Sequence, residues 1–187
     1  MSEATLTRGE RFDRADRPPR QAPTGRPVVS DEEALARMLA SETEDPGVRV
    51  VLGWIAIQAA ARKRRTVASL LTGNTGHYGP QKREDGRILY ASTRKPATDK
   101  TRELAGMLLR GEVAPSAAVQ AHRPGAWVEG RPQGLRDAQL LGLQARFGEG
   151  IYGRIAGTAW YLYSEDTPAV TDLSAVPVLA PVDGVVA

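Results

Sequence analysis

The sequence contains no cysteine, and its two histidines, His77 and His122, lie far apart in the chain. The lack of cysteine excludes a disulfide framework, a thiolate zinc site, an iron–sulfur cluster and a cysteine nucleophile. The histidines form no metal-binding motif, and there is no glycine-rich phosphate loop, dinucleotide motif or serine nucleophile elbow. We therefore expect neither a metal nor a cofactor.

Long apolar runs and a strong charge of one sign are also missing. No run of about 18 apolar residues could cross a bilayer, and the first residues lack the apolar stretch of a secretory signal. The 25 basic and 22 acidic side chains leave a net charge of only +3, which disfavours nucleic acid as a partner. We expect no membrane partner and no signal peptide.

The sequence does contain enough apolar material for one folded domain. Of the 187 residues, 41% are hydrophobic and 25% are charged, as in soluble globular proteins. Residues 1–28 are rich in arginine and proline, with few large apolar side chains, which predicts a flexible tail. Residues 165–187 are acidic, valine-rich and interrupted by prolines, which predicts an extended tail or an added edge strand. The domain itself is expected at 29–164.

Capping residues and apolar spacing predict a mainly helical domain with a little β-structure, an α+β fold. The SDEE sequence at 30–33 is typical of a capping box, in which serine and glutamate side chains bond the backbone at a helix start. Asp45 and Pro46 predict the N-cap and first residue of the next helix, whose apolar run (VVLGWIAIQAAA) is typical of a central core helix. Further elements are predicted as follows: helices at 66–72, 98–110 and 135–147, a long loop at 73–97, and a strand or hairpin at 154–164.

Glu42 is the leading candidate for chemistry. It falls on the apolar stripe of the first predicted helix, in line with Leu35 and Met38. A carboxyl on such a face loses hydration, which raises its pKa toward the range of a general acid. The alternative is a frayed last turn in which Glu42 faces water. Glu44 and Asp45 lie on other faces of a helix and form no obvious acid pair with it.

Polar and aromatic residues elsewhere suggest a binding groove. The segment HYGPQKREDGRILYAST at 77–93 carries a histidine, two tyrosines and many polar groups, the inventory of a sugar-binding or peptide-binding groove. An ordinary surface loop is the alternative. His122 lies in a predicted Pro-Gly turn beside Trp127, which is either a stacking platform or the apolar anchor of that turn. The RKRR run at 62–65 suits contact with an anionic polymer or simply a solvated helix end.

Taken in order along residues 31–164, these pieces resemble the cell wall hydrolases of the spore-cortex-lytic (SleB) type. In that family a helix ends in a catalytic glutamate, followed by an acidic stretch, a proline and an apolar helix. The sequence LARMLASETEDPGVRVVLGWIAIQAA at 35–60 is similar to this block, with Glu42 at the catalytic position. Five later pieces resemble the rest of the pattern: TVASLL at 66–71, YGPQ at 78–81, the segments 98–112 and 117–122, and RIAGTAWYLY at 154–163.

The resemblance implies a lysozyme-like fold with a small β-hairpin, and cleavage of peptidoglycan glycan strands as a lytic transglycosylase or muramidase. Glu42 would be the general acid and base, with no metal and no cofactor. Peptidoglycan would be the partner. The substrate-binding residues expected from the resemblance and the polar segment are Tyr78, Gln81, Tyr90, Ser92, His122 and Tyr161.

The sequence departs from the family pattern where Gln58-Ala59, Val113-Ala-Pro and Gly157-Thr-Ala replace the usual Asn-Arg, Asp-Pro and Gly-x-His. A catalytically degenerate virion structural or wall-binding protein with the same fold is therefore the alternative. The expected lack of a signal peptide suggests a bacteriophage protein, located in the virion or in the host cytoplasm before release. Its two tails would dock onto virion or tail proteins.

Overall fold

The computed structural model describes residues 29–72, 80–82, 88–90, 95–121, 128–132, 141, 144 and 150–184. Within these residues the helices are α1 (Asp31–Glu42), α2 (Pro46–Arg62), α3 (Val67–Thr72), α4 (Asp99–Leu109) and α5 (Ala117–Gln120), with a 3-10 turn at Leu173–Ala175. The strands are β1 (Pro80–Lys82), β2 (Ile88–Tyr90), β3 (Val128–Pro132), β4 (Gly150–Ile155), β5 (Trp160–Ser164) and β6 (Val178–Leu179). The α+β fold class is confirmed.

The first two helices begin at the residues that the sequence predicts. Ser30 caps α1, because its Oγ accepts a hydrogen bond from the Glu33 amide at 3.1 Å. Asp45 caps α2 through a 2.8 Å bond from the Val48 amide to its Oδ1, and Pro46 occupies the first helical position. Three residues, 43–45, separate the end of α1 from the start of α2.

The predicted capping box at 30–33 is only half correct. The Glu33 carboxylate turns toward two cations, accepting a hydrogen bond from Arg37 Nε at 2.6 Å and another from Arg102 Nε at 3.0 Å. Arg102 belongs to α4, so the carboxylate joins two helices. These hydrogen bonds, first that from Arg37 and then that from Arg102, hold the pKa of Glu33 below its ordinary value. Two charged donors stabilise the carboxylate more than one backbone amide would.

The main core lies where α1 packs against α2, α3 and α4. Leu35, Met38 and Leu39 of α1 are fully buried, as their spacing predicts. The central helix α2 contributes a wide buried surface, which accounts for its nearly continuous apolar sequence. Other core residues come from several elements: Val67, Leu70, Leu71, Ala105, Leu108, Val119, Ile155 and Leu162.

The larger sheet has the strand order β3-β5-β4-β6. Strands β4 and β5 form the hairpin expected near 154–164, although β4 begins earlier, at Gly150, and contains a register shift between Ile151 and Gly153. The predicted long loop at 73–97 contains a second, two-stranded antiparallel pair formed by β1 and β2. Short strands of three residues carry too little apolar alternation to be read from sequence.

Residues 165–184, here called the C-terminal strap, run back across the domain. Within the strap, β6 pairs in parallel with β4. The amides of Arg154 and Ala156 donate to the carbonyls of Pro177 and Leu179 at 2.9 and 2.8 Å. The edge strand is one of the two forms that the sequence predicts for this segment.

A glutamine far away in the chain holds the first part of the strap. The Gln144 side-chain amide donates to the Val170 carbonyl at 2.8 Å, and its Oε1 accepts from the amides of Val170, at 2.8 Å, and Ile151, at 3.1 Å. Gln144 is 3% exposed, so these bonds are shielded from water. A side chain at Gly150 would collide with the carbonyl oxygens of Thr167 and Pro168, so the strap also needs a glycine there.

Two further predictions concern residues that the structure describes in part or not at all. Of the helix predicted at 135–147, Leu141 and Gln144 are described, and both have helical backbone. The tail predicted at 1–28 lies outside the described residues. None of the helices in the described ranges combines the length and apolar character needed to span a bilayer.

Candidate functional site

Glu42 is the last residue of α1. It keeps helical backbone and is half-buried, and the helix ends at Thr43, which is extended with φ −159° and ψ 157°. The helix therefore stays ordered through the residue that carries the candidate carboxyl. This arrangement places an acid at the point where the chain leaves the helix, between a buried face and solvent.

The turn between α1 and α2 is organised by three side chains. Thr43 Oγ1 accepts from the Asp45 amide at 3.1 Å, and Asp45 Oδ1 accepts from the Val48 amide. Arg49 Nε, from α2, donates to the carbonyls of Thr43 at 2.8 Å and Leu39 at 3.2 Å. We call residues 39–49 the α1–α2 junction. Its polar backbone groups are bonded on both sides of Glu42, which fixes the path of the chain there.

The chain just after the polar segment predicted as a groove contacts the same end of α1. The Lys95 amide donates to Ser41 Oγ at 3.1 Å, so the chain that follows the segment contacts the residue directly before Glu42. In the β1–β2 pair, Gln81 lies opposite Leu89 and Tyr90 lies opposite Pro80. These two predicted substrate-binding positions lie on neighbouring strands, one register position apart, which puts them on opposite faces of the pair.

The other predicted substrate-binding residues have different positions. Tyr78, Ser92 and His122 lie outside the described residues. Tyr161 lies in β5 and is 4% exposed, within a second apolar cluster of Ile151, Tyr161, Tyr163 and Val176. The side chain of Tyr161 packs inside this cluster, and its burial disfavours a role in contacting a ligand.

Two more acids follow Glu42 in the junction. Glu44 and Asp45 are both exposed, and Asp45 has the capping function that the sequence predicts. A cavity of about 440 Å³ begins beside Asp45 and lies between the first turn of α2, the β4–β5 turn and the end of the strap. Among its lining residues that the structure describes, Asp45 is the one with a charge.

Arg49 is the junction residue that the sequence analysis does not identify. A signal for it exists, because Arg49 is the single charged residue between Asp45 and Arg62 in an otherwise apolar helix. A cation in such a helix needs polar partners, and here these are the carbonyls at the end of α1.

In the described ranges no group of three or more His, Cys, Asp or Glu side chains is arranged to hold a metal.

Comparison of the chain with protein-family models, with curated proteins and with solved structures finds no match.

Proposed function

We propose that this protein cleaves the glycan strands of peptidoglycan, with a lysozyme-like arrangement in which Glu42 is the general acid and base. The observation that carries the proposal is the position of Glu42 at the end of α1, half-buried and followed by a hydrogen-bonded turn and a buried central helix. The order of these features agrees with the family that the sequence resembles.

In the proposed reaction, Glu42 first donates its proton to the glycosidic oxygen as the bond to the anomeric carbon breaks. The resulting carboxylate then takes the proton of the muramyl C6 hydroxyl, whose oxygen bonds to the anomeric carbon and closes an anhydro ring. Glu42 ends protonated, as it began, and no water is consumed. The attacking hydroxyl is tethered to the substrate, which gives it the entropic advantage of an intramolecular nucleophile.

Hydrolysis would need a second carboxylate, at about 6.5 to 9.5 Å from the acid for inversion or about 5 Å for retention. Asp45 is engaged in capping α2, which leaves it poorly suited to that role. Glu84 and Asp85 lie outside the described residues, as does the side chain of Glu129. A mechanism with a single carboxyl is therefore the more economical proposal.

The β1–β2 pair supplies the proposed wall of the groove, since the chain that follows it is bonded to the residue before Glu42. Gln81 and Tyr90, one on each face of this pair, are the proposed sugar contacts there, with Tyr78, Ser92 and His122 as further proposed contacts. We also propose that the protein is phage-associated, in the virion or in the host cytoplasm before release, and that its terminal segments bind virion or tail proteins.

A second candidate is a virion structural or wall-binding protein that keeps the fold without the activity. The burial of Tyr161 favours it, because one of the aromatic residues expected to contact substrate belongs to the core instead. The departures at Gln58-Ala59 and Gly157-Thr-Ala favour it as well.

Digestion of purified peptidoglycan by the wild type and by Glu42→Gln tests the proposal, with turbidity and mass spectrometry as readouts. We expect the wild type to release anhydro-muropeptides, each lighter by one water than a hydrolysis product, and Glu42→Gln to lose about 10²- to 10⁴-fold in rate. Glu44→Gln is the matched control, since it removes an exposed acid two residues away and should stay active. New reducing ends would replace the single-carboxyl mechanism with hydrolysis, whereas no glycan products would favour the structural candidate.

A further inference from the structure

We infer that Arg49 is a positioning residue for Glu42: its guanidinium ties the backbone on both sides of that residue and so holds the carboxyl in place. The inference rests on the proposed function. It adds to that function a residue that never touches the substrate and acts through the path of the main chain.

The geometry is a bifurcated hydrogen bond, in which the single N–H of Arg49 Nε is shared between two carbonyls. Arg49 Nε donates to the Leu39 carbonyl, within the last turn of α1, at 3.2 Å, and to the Thr43 carbonyl, directly after Glu42, at 2.8 Å. One acceptor precedes Glu42 and the other follows it. The two bonds therefore set the point at which the chain changes from helix to extended backbone, which is where the Glu42 side chain leaves it.

The charge of Arg49 suits this location. The last turn of α1 contains no basic residue of its own, so that turn supplies no cation to the carbonyls at the negative end of the helix. Arg49 supplies one from α2. Its bonds to the carbonyls are charge-assisted, which makes them stronger than bonds between neutral groups.

The rest of α1 is held by other contacts. Ser30 caps its start, Glu33 joins it to Arg102 of α4, and Leu35 is fully buried in the main core. Removing Arg49 should therefore loosen the end of the helix while the fold persists. A general acid must lie within hydrogen-bond reach of its substrate oxygen, and a misplacement of about 1 Å can cost 10²-fold in rate.

The test compares Arg49→Met and Arg49→Lys with the wild type on purified peptidoglycan. Arg49→Met keeps the apolar stem and removes the donors, so we expect kcat to fall on the order of 10²-fold while KM stays within about twofold. Arg49→Lys keeps the positive charge but lacks the Nε donor of the guanidinium, and we expect an intermediate kcat. The matched control is Arg110→Met, which removes an exposed arginine paired with Glu112 at the far end of α4 and should keep wild-type kcat.

A second readout detects the position of Glu42 without turnover. In NMR spectra, Arg49→Met should shift the Glu42 carboxyl carbon and the amides of residues 40–44, and leave the amides around Ser30 unchanged. A folded Arg49→Met protein with wild-type kcat overturns the inference, and so does one whose Glu42 signals are unmoved. If Arg49→Met does not fold, the kcat of Arg49→Lys provides the test, and a wild-type kcat in that variant overturns the inference.

The outcomes separate this inference from the proposed function. An active wild type, an inactive Glu42→Gln and a fully active Arg49→Met would refute the positioning role alone. A wild type that releases no more glycan product than Glu42→Gln would refute the proposed function, and the inference with it.

Discussion

The α1–α2 pair and the C-terminal strap lie in the same domain but are held by different kinds of interaction. The two helices begin at caps formed within three residues, and they bury apolar faces against each other and against α3 and α4. The strap packs a few apolar side chains on the domain, among them the buried Val176, and it adds hydrogen bonds to distant parts of the chain. Ser116 Oγ donates to the Ala180 carbonyl across 64 residues, and Gln144 reaches Val170 across 26.

This difference determines which region a sequence can predict. Caps and apolar periodicity are local signals, and they specify an element before its partners are known. Distant hydrogen bonds are specified only when the whole fold exists, because each partner is an ordinary polar residue until the chain brings the two together. Such contacts also carry the loop-closure cost of long separations in sequence.

The largest expected effect comes from deleting a fully buried apolar side chain of the helical region, with the strap as the comparison. Leu35→Ala removes a side chain with no exposed surface from α1, and we expect it to lower the free energy of unfolding by about 3 to 5 kcal/mol. The same deletion at Leu173 removes a half-buried side chain beside the second cluster, and we expect a loss of about 1 kcal/mol. Urea unfolding followed by circular dichroism measures both. Equal losses would show that the strap depends on apolar burial as much as the helices do.

A smaller effect is expected where the strap depends on hydrogen bonds. Gln144→Ala leaves the buried Ile151 amide and both polar groups of Val170 without their side-chain partner, and we expect it to cost about 2 to 3 kcal/mol. Gln120→Ala is the matched control. Gln120 is exposed, and its side chain makes one local hydrogen bond, to the Pro115 carbonyl, so the substitution should cost about 1 kcal/mol or less.

Amide hydrogen exchange at Val170 shows where the loss in Gln144→Ala acts. In that variant we expect faster exchange at the strap and unchanged exchange in α2. Uniformly faster exchange through the whole chain would mean that the strap and helices open as one unit, and the contrast drawn between the two regions would fail.

The sequence predicts the helices near the site well and the site itself only in part. Ser30, Asp45 and Pro46 locate the starts of α1 and α2, because an N-cap needs no partner beyond its own helix. The Gly150 contact with the strap has no such local signal, since what excludes a side chain there is backbone 17 or 18 residues later in the chain. Arg49 is an intermediate case. Its isolation in an apolar helix marks it as unusual, but the sequence does not indicate which carbonyls accept its hydrogen bond.

The smallest expected effect concerns the ion pair between Glu33 of α1 and Arg102 of α4. Arg37 and Arg102 hold the pKa of Glu33 below its ordinary value of 4.5, so its carboxylate is favoured in the folded state. A group whose folded pKa is lowered contributes stability above its unfolded pKa, and this contribution is lost as the pH falls through the folded pKa. Glu33→Gln should therefore destabilise the protein at pH 7 by about 1 kcal/mol, because the pair is only partly shielded from water.

The difference between Glu33→Gln and the wild type should shrink below pH about 4.5 and disappear once the carboxyl is protonated in both states. Urea titrations at several pH values between 7 and 3 measure it. Glu32→Gln is the comparison variant, since it removes a neighbouring acid of the same first turn that lies beside Arg110 of α4 and is not bonded to Arg37 or Arg102. If the two variants lost equal stability at pH 7 and recovered it together, a general loss of negative charge near the helix start and Arg110 would account for both. The bonds to Arg37 and Arg102 would then contribute nothing measurable, and the helical region would be held by apolar packing and local caps alone.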